Sequence, residues 1–169
     1  MTGYPESLTD PSYSGQLMVL TYPLVGNYGV PPRTFEANGL ATFMESEKIH
    51  AEAIIVTDYS FEYSHWNAVE SLGSWLKDEK VAGIYGIDTR ELTKLLREKG
   101  SMKGKIVFDA ADEIDFVDPN LINQVDIVSC KEVITYGNGS KKVVLVDCGV
   151  KHNIIRCLLK RDVTVIRVP

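Results

Sequence analysis

Residues 143–168 constrain the fold more than any other part of the chain. Val143-Val144-Leu145-Val146 is apolar at every position, and residues 163–168 form a second apolar stretch. Between them, residues 151–160 place Ile154, Ile155, Leu158 and Leu159 on one side of a helix. This is a strand-helix-strand unit whose strands are apolar on both faces, as in the middle of a parallel sheet covered on both sides. One helix cannot cover both faces of two strands. The unit is therefore expected to be the start of a larger sheet, and the fold class is α/β.

At the other end, residues 16–22 are rich in Leu, Val, Thr and Tyr and close at Pro23, which predicts a buried strand between two loops. The loop before it, Thr9-Asp10-Pro11-Ser12-Tyr13-Ser14-Gly15, sets turn formers and hydroxyl groups against the strand entrance. The loop after it, Gly26-Asn27-Tyr28-Gly29, offers positions for φ > 0 ahead of Pro31-Pro32. Taken alone, such loops serve mainly to turn the chain.

Residues 51–57 predict a second strand, and a short apolar strand is expected over 81–87. Between them Asn67 and Glu70 read as the cap of a helix whose stripe is Val69, Leu72 and Leu76 bordered by Trp75. In Ile87-Asp88-Thr89-Arg90-Glu91-Leu92, Asp88 is the N-cap, Glu91 completes a capping box, and Ile87 and Leu92 close a hydrophobic staple. The helix is expected over 89–99, with Leu92, Leu95 and Leu96 inward and Gly100 ending it. Asp88 beside Arg90 could be taken for a catalytic pair, but capping already explains Asp88. Residues 102–109 read as a further strand. Residues 110–142, with an acidic patch at Asp112, Glu113, Asp115 and Asp118 and then Gly137-Asn138-Gly139-Ser140, read as a linker ending near Ser140.

Three stretches carry a resemblance. MTGYPESLTDPSYSGQLMVLTYPLVGNYGVP (1–31) and DTRELTKLLREKGSMKGKI (88–106) resemble the amino-terminal domain of the small, glutamine-hydrolysing subunit of carbamoyl-phosphate synthetase. VVLVDCGVKHNIIRCLLKRDVTVIRVP (143–169) resembles the opening of the class I glutamine amidotransferase domain that follows it in these subunits. The resemblance implies a swivelling β/β/α domain over 1–140, with its linker from about 110. An incomplete amidotransferase domain is implied over 141–169. It implies that Ser12, the serine of the DPSY segment, hydrogen-bonds the bound L-glutamine. It also implies docking on a large subunit that uses ATP, magnesium and bicarbonate to make carbamoyl phosphate for arginine and pyrimidine synthesis. No cofactor is implied for this chain itself.

In that family the nucleophilic cysteine lies in a later GxCxGxQ segment and its His and Glu partners later still. The chain is accordingly expected to be an internal fragment of its parent, inactive alone, with no catalytic residue. Cys148 sits where a strand meets a helix, a place nucleophiles often occupy, but no His-acid pair is evident around it. Cys130, Cys148 and Cys157 lack CxxC spacing, and His50, His65 and His152 are dispersed, so no metal site is expected. A net charge of −5 without a basic patch argues against a nucleic-acid partner. The lack of an apolar run near 20 residues argues against a membrane span, and a cytoplasmic protein is expected. Two other readings stay open: a non-catalytic scaffold module in which Ser12 is only a loop residue, and a self-contained enzyme using Cys148.

Overall fold

A computed structural model describes residues 3–109 and 113–169. The architecture is mixed α/β, and both larger sheets contain parallel strands. The first described element is a helix, α1 (Tyr4–Leu8), with Pro5 in its first turn, where a missing N–H costs nothing. Tyr4 and Leu8, spaced i and i+4, are fully buried on its inner face. A 3-10 turn, Pro11–Tyr13, follows directly.

Three short strands, β1 (Leu17–Val19), β3 (Ala53–Ile55) and β5 (Ala82–Ile84), form a parallel sheet in the order β1-β3-β5. Met18 pairs with Ile54 and Ile54 with Gly83. The first strand is shorter than the expected 16–22. After Leu20 bonds Ile55 O, the chain leaves the sheet, Tyr22 is left exposed, and Pro23 opens β2 (Leu24–Val25), which pairs in parallel with β4 (Asp58–Tyr59). The return from β2 needs its glycines. A Cβ on Gly26 (φ +104°) would lie 2.4 Å from Ser60 O.

Helix α2 (Leu72–Asp78) begins later than expected. Its cap is Ser71, whose hydroxyl accepts from Ser74 N, rather than Asn67. Residues 68–70 run extended instead, because Val30 and Glu70 bridge as an antiparallel pair. Val69 is therefore 59% exposed, while Leu72, Trp75 and Leu76 are buried as predicted. Helix α3 (Thr89–Lys99) has the expected bounds, and Asp88 Oδ1 accepts from Glu91 N at 2.9 Å. The Glu91 carboxylate turns to Lys94 Nζ (3.0 Å) rather than back to complete the box. The Leu stripe of α3 is only partly covered, with Leu95 37% exposed.

The strand expected over 102–109 does not form. Its lysines instead make side-chain contacts, Lys103 to Asp118 (3.6 Å) and Lys105 to Ile114 O (2.7 Å) and over the Phe116 ring. The stretch expected as a linker contains α4 (Gln124–Val128) and β6 (Ile134–Tyr136), with Asp112 of its acidic patch outside the described residues. The second sheet has the order β6-β8-β7, in which β7 (Lys141–Val146) and β8 (Val163–Val168) are parallel over six pairs and β6 is antiparallel to β8. Helix α5 (His152–Leu159) covers one face through the fully buried Ile155. The other face is open, with Val144 64% and Val146 63% exposed, as one helix on two doubly apolar strands requires. Two hydrophobic clusters result. The first gathers Tyr4, Leu8, Met18, Val25, Ile54, Leu72 and Trp75, and the second Leu40, Tyr136, Val150, Ile155 and Val165.

Candidate functional site

The site is built around the 3-10 turn that carries Ser12. Thr9, with no exposed surface, ties the end of α1 to the turn at 45–46. Its hydroxyl donates to Pro5 O (2.7 Å) and accepts from Glu45 N (2.9 Å), and Ser46 Oγ donates to Thr9 O (2.6 Å). Asp10 then caps the 3-10 turn, its Oδ1 accepting from Ser12 N at 2.9 Å. Gln16 Nε2 donates to Ser12 O at 2.8 Å. The backbone of Ser12 is thus held on both sides. Its side chain is exposed, with the hydroxyl beside the Asp10 carboxylate.

The turn rests against the loop that follows β7. Lys151 Nζ reaches Asp10 Oδ2 at 3.0 Å, and a Cβ on Gly149 (φ +93°) would come within 3.1 Å of Pro11 Cβ. Burial works against ionisation of Asp10, but the Ser12 N–H and the Lys151 ammonium outweigh it and hold its carboxyl below the ordinary aspartate value. The same bond raises the Lys151 ammonium above the ordinary lysine value.

The loop at 147–151 is organised by Asp147, which has no exposed surface. Its Oδ1 accepts from Gly149 N and Val150 N, both at 2.9 Å, and its Oδ2 from Cys130 N (2.6 Å) and Arg167 Nε (2.7 Å), with Arg167 Nη2 also 2.6 Å away. Here too burial opposes ionisation, and the three backbone N–H groups with the guanidinium reverse it, holding the carboxyl below its ordinary value. A buried carboxylate costs several kcal/mol without such partners, so this one needs all of them.

Helix α5 seats the second sheet on residues 36–47. His152 N donates to Glu45 O (2.9 Å), and Glu45 Oε2 accepts from Asn153 N (2.9 Å), supplying from outside the cap that Lys151 does not. The buried His152 ring accepts from Ala41 N at Nδ1 (3.0 Å), so the proton lies on Nε2, 3.2 Å from Glu47 Oε1. The Nε2 proton faces the Glu47 carboxylate, off the line of an ideal hydrogen bond, and holds that carboxyl well below its ordinary value. Arg156 donates to Glu36 Oε1 (2.9 Å), Met44 O (3.0 Å) and Ala41 O.

The other singled-out residues fall elsewhere. Asp88 and Arg90 line an open crevice of about 490 Å³ at the carboxyl ends of the first sheet, with Thr21, Thr57 and Asp58, and Asp88 is engaged in capping. His50 bonds Ser46 Oγ (3.1 Å), and the His65 ring lies tilted against Tyr28, centroids 4.2 Å apart. Cys148 and Cys157 are exposed. The Cys130 thiol is pushed up by burial and by the Asp147 carboxylate, which makes it a poor nucleophile. Among the described residues no three His, Cys, Asp or Glu side chains converge as metal ligands. Nor is any helix among the described residues long and apolar enough to cross a membrane. Sequence reasoning singled out Ser12 but passed over Thr9, Asp10, Asp147 and Lys151. The signals available were the Asp before Pro-Ser, a capping pattern, and an Asp closing an apolar strand.

The chain belongs to the family described as carbamoyl-phosphate synthase small chain, CPSase domain, which it matches over residues 1–106. It is 50% identical over 99% of its length to the protein named carbamoyl-phosphate synthase [ammonia], mitochondrial, of Homo sapiens, spanning 11% of that protein. It is 50% identical over its whole length to the carbamoyl phosphate synthase arginine-specific small chain of Eremothecium gossypii, spanning 44% of it. The multifunctional protein CAD of Squalus acanthias is 49% identical over the whole chain, which spans 8% of that protein.

Proposed function

We propose that the chain is part of a glutamine-dependent carbamoyl-phosphate synthetase, in which residues 1–140 form the swivelling amino-terminal domain of the small subunit and 141–169 begin its amidotransferase domain. In this reading the small subunit hydrolyses glutamine and passes ammonia to a large subunit that uses ATP, magnesium and bicarbonate. This part docks on the large subunit, and Ser12 contributes one hydrogen bond to glutamine. The GxCxGxQ nucleophile segment is not in residues 1–169, so the present residues bind and position but do not cleave.

The observation that carries the reading is the state of Ser12, a hydroxyl left exposed on a turn whose own backbone is tied at Asp10 and Gln16. Such a group is preorganised to donate to or accept from one polar group of a ligand. One hydrogen bond contributes about 0.5–1.5 kcal/mol, or up to roughly 3 to a charged group. Ser12→Ala in the full-length parent is therefore expected to lower glutamine-dependent kcat/KM by about 3-fold to 100-fold, mainly through KM. Ammonia-dependent synthesis bypasses the glutamine pocket and keeps its rate. Equal losses with both nitrogen donors would remove Ser12 from the pocket and favour a scaffold role.

A second reading has one specific observation behind it, the 50% identity to a relative whose name specifies ammonia. In that case the parent uses free ammonia and Ser12 is a remnant of the turn. Steady-state assays of the unsubstituted parent with each donor separate the two, since only the first reading gives synthesis from glutamine.

A further inference from the structure

We propose that Asp147 is a positioning residue for Ser12, acting through the loop at 147–151 that grips the two residues before it. The inference rests on the glutamine role given to Ser12 above. Ser12 turns its hydroxyl to Asp10 rather than toward the second half of the molecule. Its neighbours meet that half: Asp10 is held by Lys151 at 3.0 Å, and Pro11 lies against Gly149. Both holding residues take their places from one carboxylate. Asp147 Oδ1 receives Gly149 N and Val150 N, which forces the turn that puts Gly149 at φ +93° under Pro11 and starts the chain toward Lys151.

The carboxylate is itself held from two further directions. Arg167 reaches it from β8, and Cys130 N from the segment after α4, while Ser129 Oγ donates to Asp147 O at 2.5 Å. Val128 packs against the loop itself, its Cγ2 2.9 Å from where a Cβ on Gly149 would lie. Three separated parts of the sequence thus converge on a group that touches no exposed surface and then on the turn of Ser12. Helix α5 already seats the second sheet on residues 36–47 through Glu45 and Arg156. The loop adds a hold on the one turn that presents the exposed hydroxyl. A displacement of about 1 Å at such a position is enough to cost a substrate contact most of its value.

Asp147→Asn keeps the shape and one acceptor oxygen but loses the charge that holds Arg167 and the paired N–H groups. Measured in the full-length parent, it is expected to raise the glutamine KM by about 3-fold to 30-fold with kcat within about 2-fold, and to lower the ratio of glutamine-dependent to ammonia-dependent kcat/KM accordingly. Combined with Ser12→Ala, the double variant should be no worse than about 3-fold beyond the stronger single one, since both remove the same contact. Should Asp147→Asn fail to fold, Arg167→Lys, which keeps the charge and loosens the geometry, carries the same expectation at a smaller size. An unchanged donor ratio in the variant that folds, equal losses with both donors, or losses that multiply in the double variant would each overturn the proposal. A Ser12→Ala that leaves glutamine use unaltered would defeat the glutamine role itself and this inference with it. A normal Ser12 effect with an inert Asp147 would defeat this inference alone.

Discussion

The hydroxyl of Ser12 owes its position to bonds made by its backbone and its neighbours. The hydroxyl is ordinary, and its placement comes from Asp10, whose two oxygens divide between Ser12 N and Lys151. Lys151 keeps 44% of its side chain exposed, so water screens the pair and its worth to stability is small, about 0–1 kcal/mol. Lys151→Met is accordingly expected to shift the unfolding free energy by less than about 1 kcal/mol. Urea denaturation checks this, and a loss above about 2 kcal/mol would mean that the contact is far better shielded than its exposure suggests. Gly26 is the opposite kind of residue. Gly26→Ala sets a Cβ 2.4 Å from Ser60 O at φ +104°, and we expect more than about 1 kcal/mol of destabilisation, read as a lower denaturation midpoint.

Among the elements, α2 and α3 differ in what sustains them. Helix α2 is short, seven residues, and is held by tertiary packing of Leu72, Trp75 and Leu76. Helix α3 is longer and packs lightly, so its local signals matter more: the Asp88 cap, the basic last turn at Arg97 and Lys99, and the positive φ of Gly100. Trp75→Ala is expected to cost about 3–5 kcal/mol, against about 0.5–2 for Asp88→Ala. Thermal denaturation followed by circular dichroism ranks them, and the reverse order would contradict the assignment of α2 to the core and α3 to the rim. The cap of α3 was legible in sequence because capping is local. The start of α2 was not, because Val30, forty positions before Glu70, captures the residues that would have formed its first turn.

For the whole molecule, several groups couple stability to pH with one sign. Burial lowers the His50 imidazole below its ordinary 6.5, so the unfolded chain takes up that proton first and stability begins to fall as pH drops below about 6.5. Glu47 is drawn down from 4.5 to about 2, chiefly by the His152 imidazole and against its own burial, and Asp10 and Asp147 are also depressed. Depressed carboxylates contribute stability that is complete above their unfolded values and lost as pH falls through the folded ones. The steeper loss is therefore expected from about pH 4.5 toward 2. A melting temperature that stays level between pH 6 and 3 would show that these groups are not held as described.

Read in sequence order, the chain determined its elements wherever the cause was local or periodic. The Asp88 cap gave α3 its bounds, the doubly apolar residues at 143–146 and 163–168 announced a parallel pair with an uncovered face, and the alternation around Ile154, Ile155 and Leu158 gave α5 to within a residue. The DPSY run, by its resemblance, pointed to Ser12. Tertiary structure decided what depended on a distant partner. It ended β1 at Val19, moved the cap of α2 to Ser71, kept residues 102–109 out of a strand and drew residues 134–136 into one. It also gathered Arg167 and Cys130 around Asp147 and set Gly149 and Lys151 against the turn of Ser12. The physical reason is range: caps, staples and hydrophobic periods act within about one or two turns of chain, whereas strand pairing and the neutralisation of a buried carboxylate are satisfied by whichever groups the fold delivers.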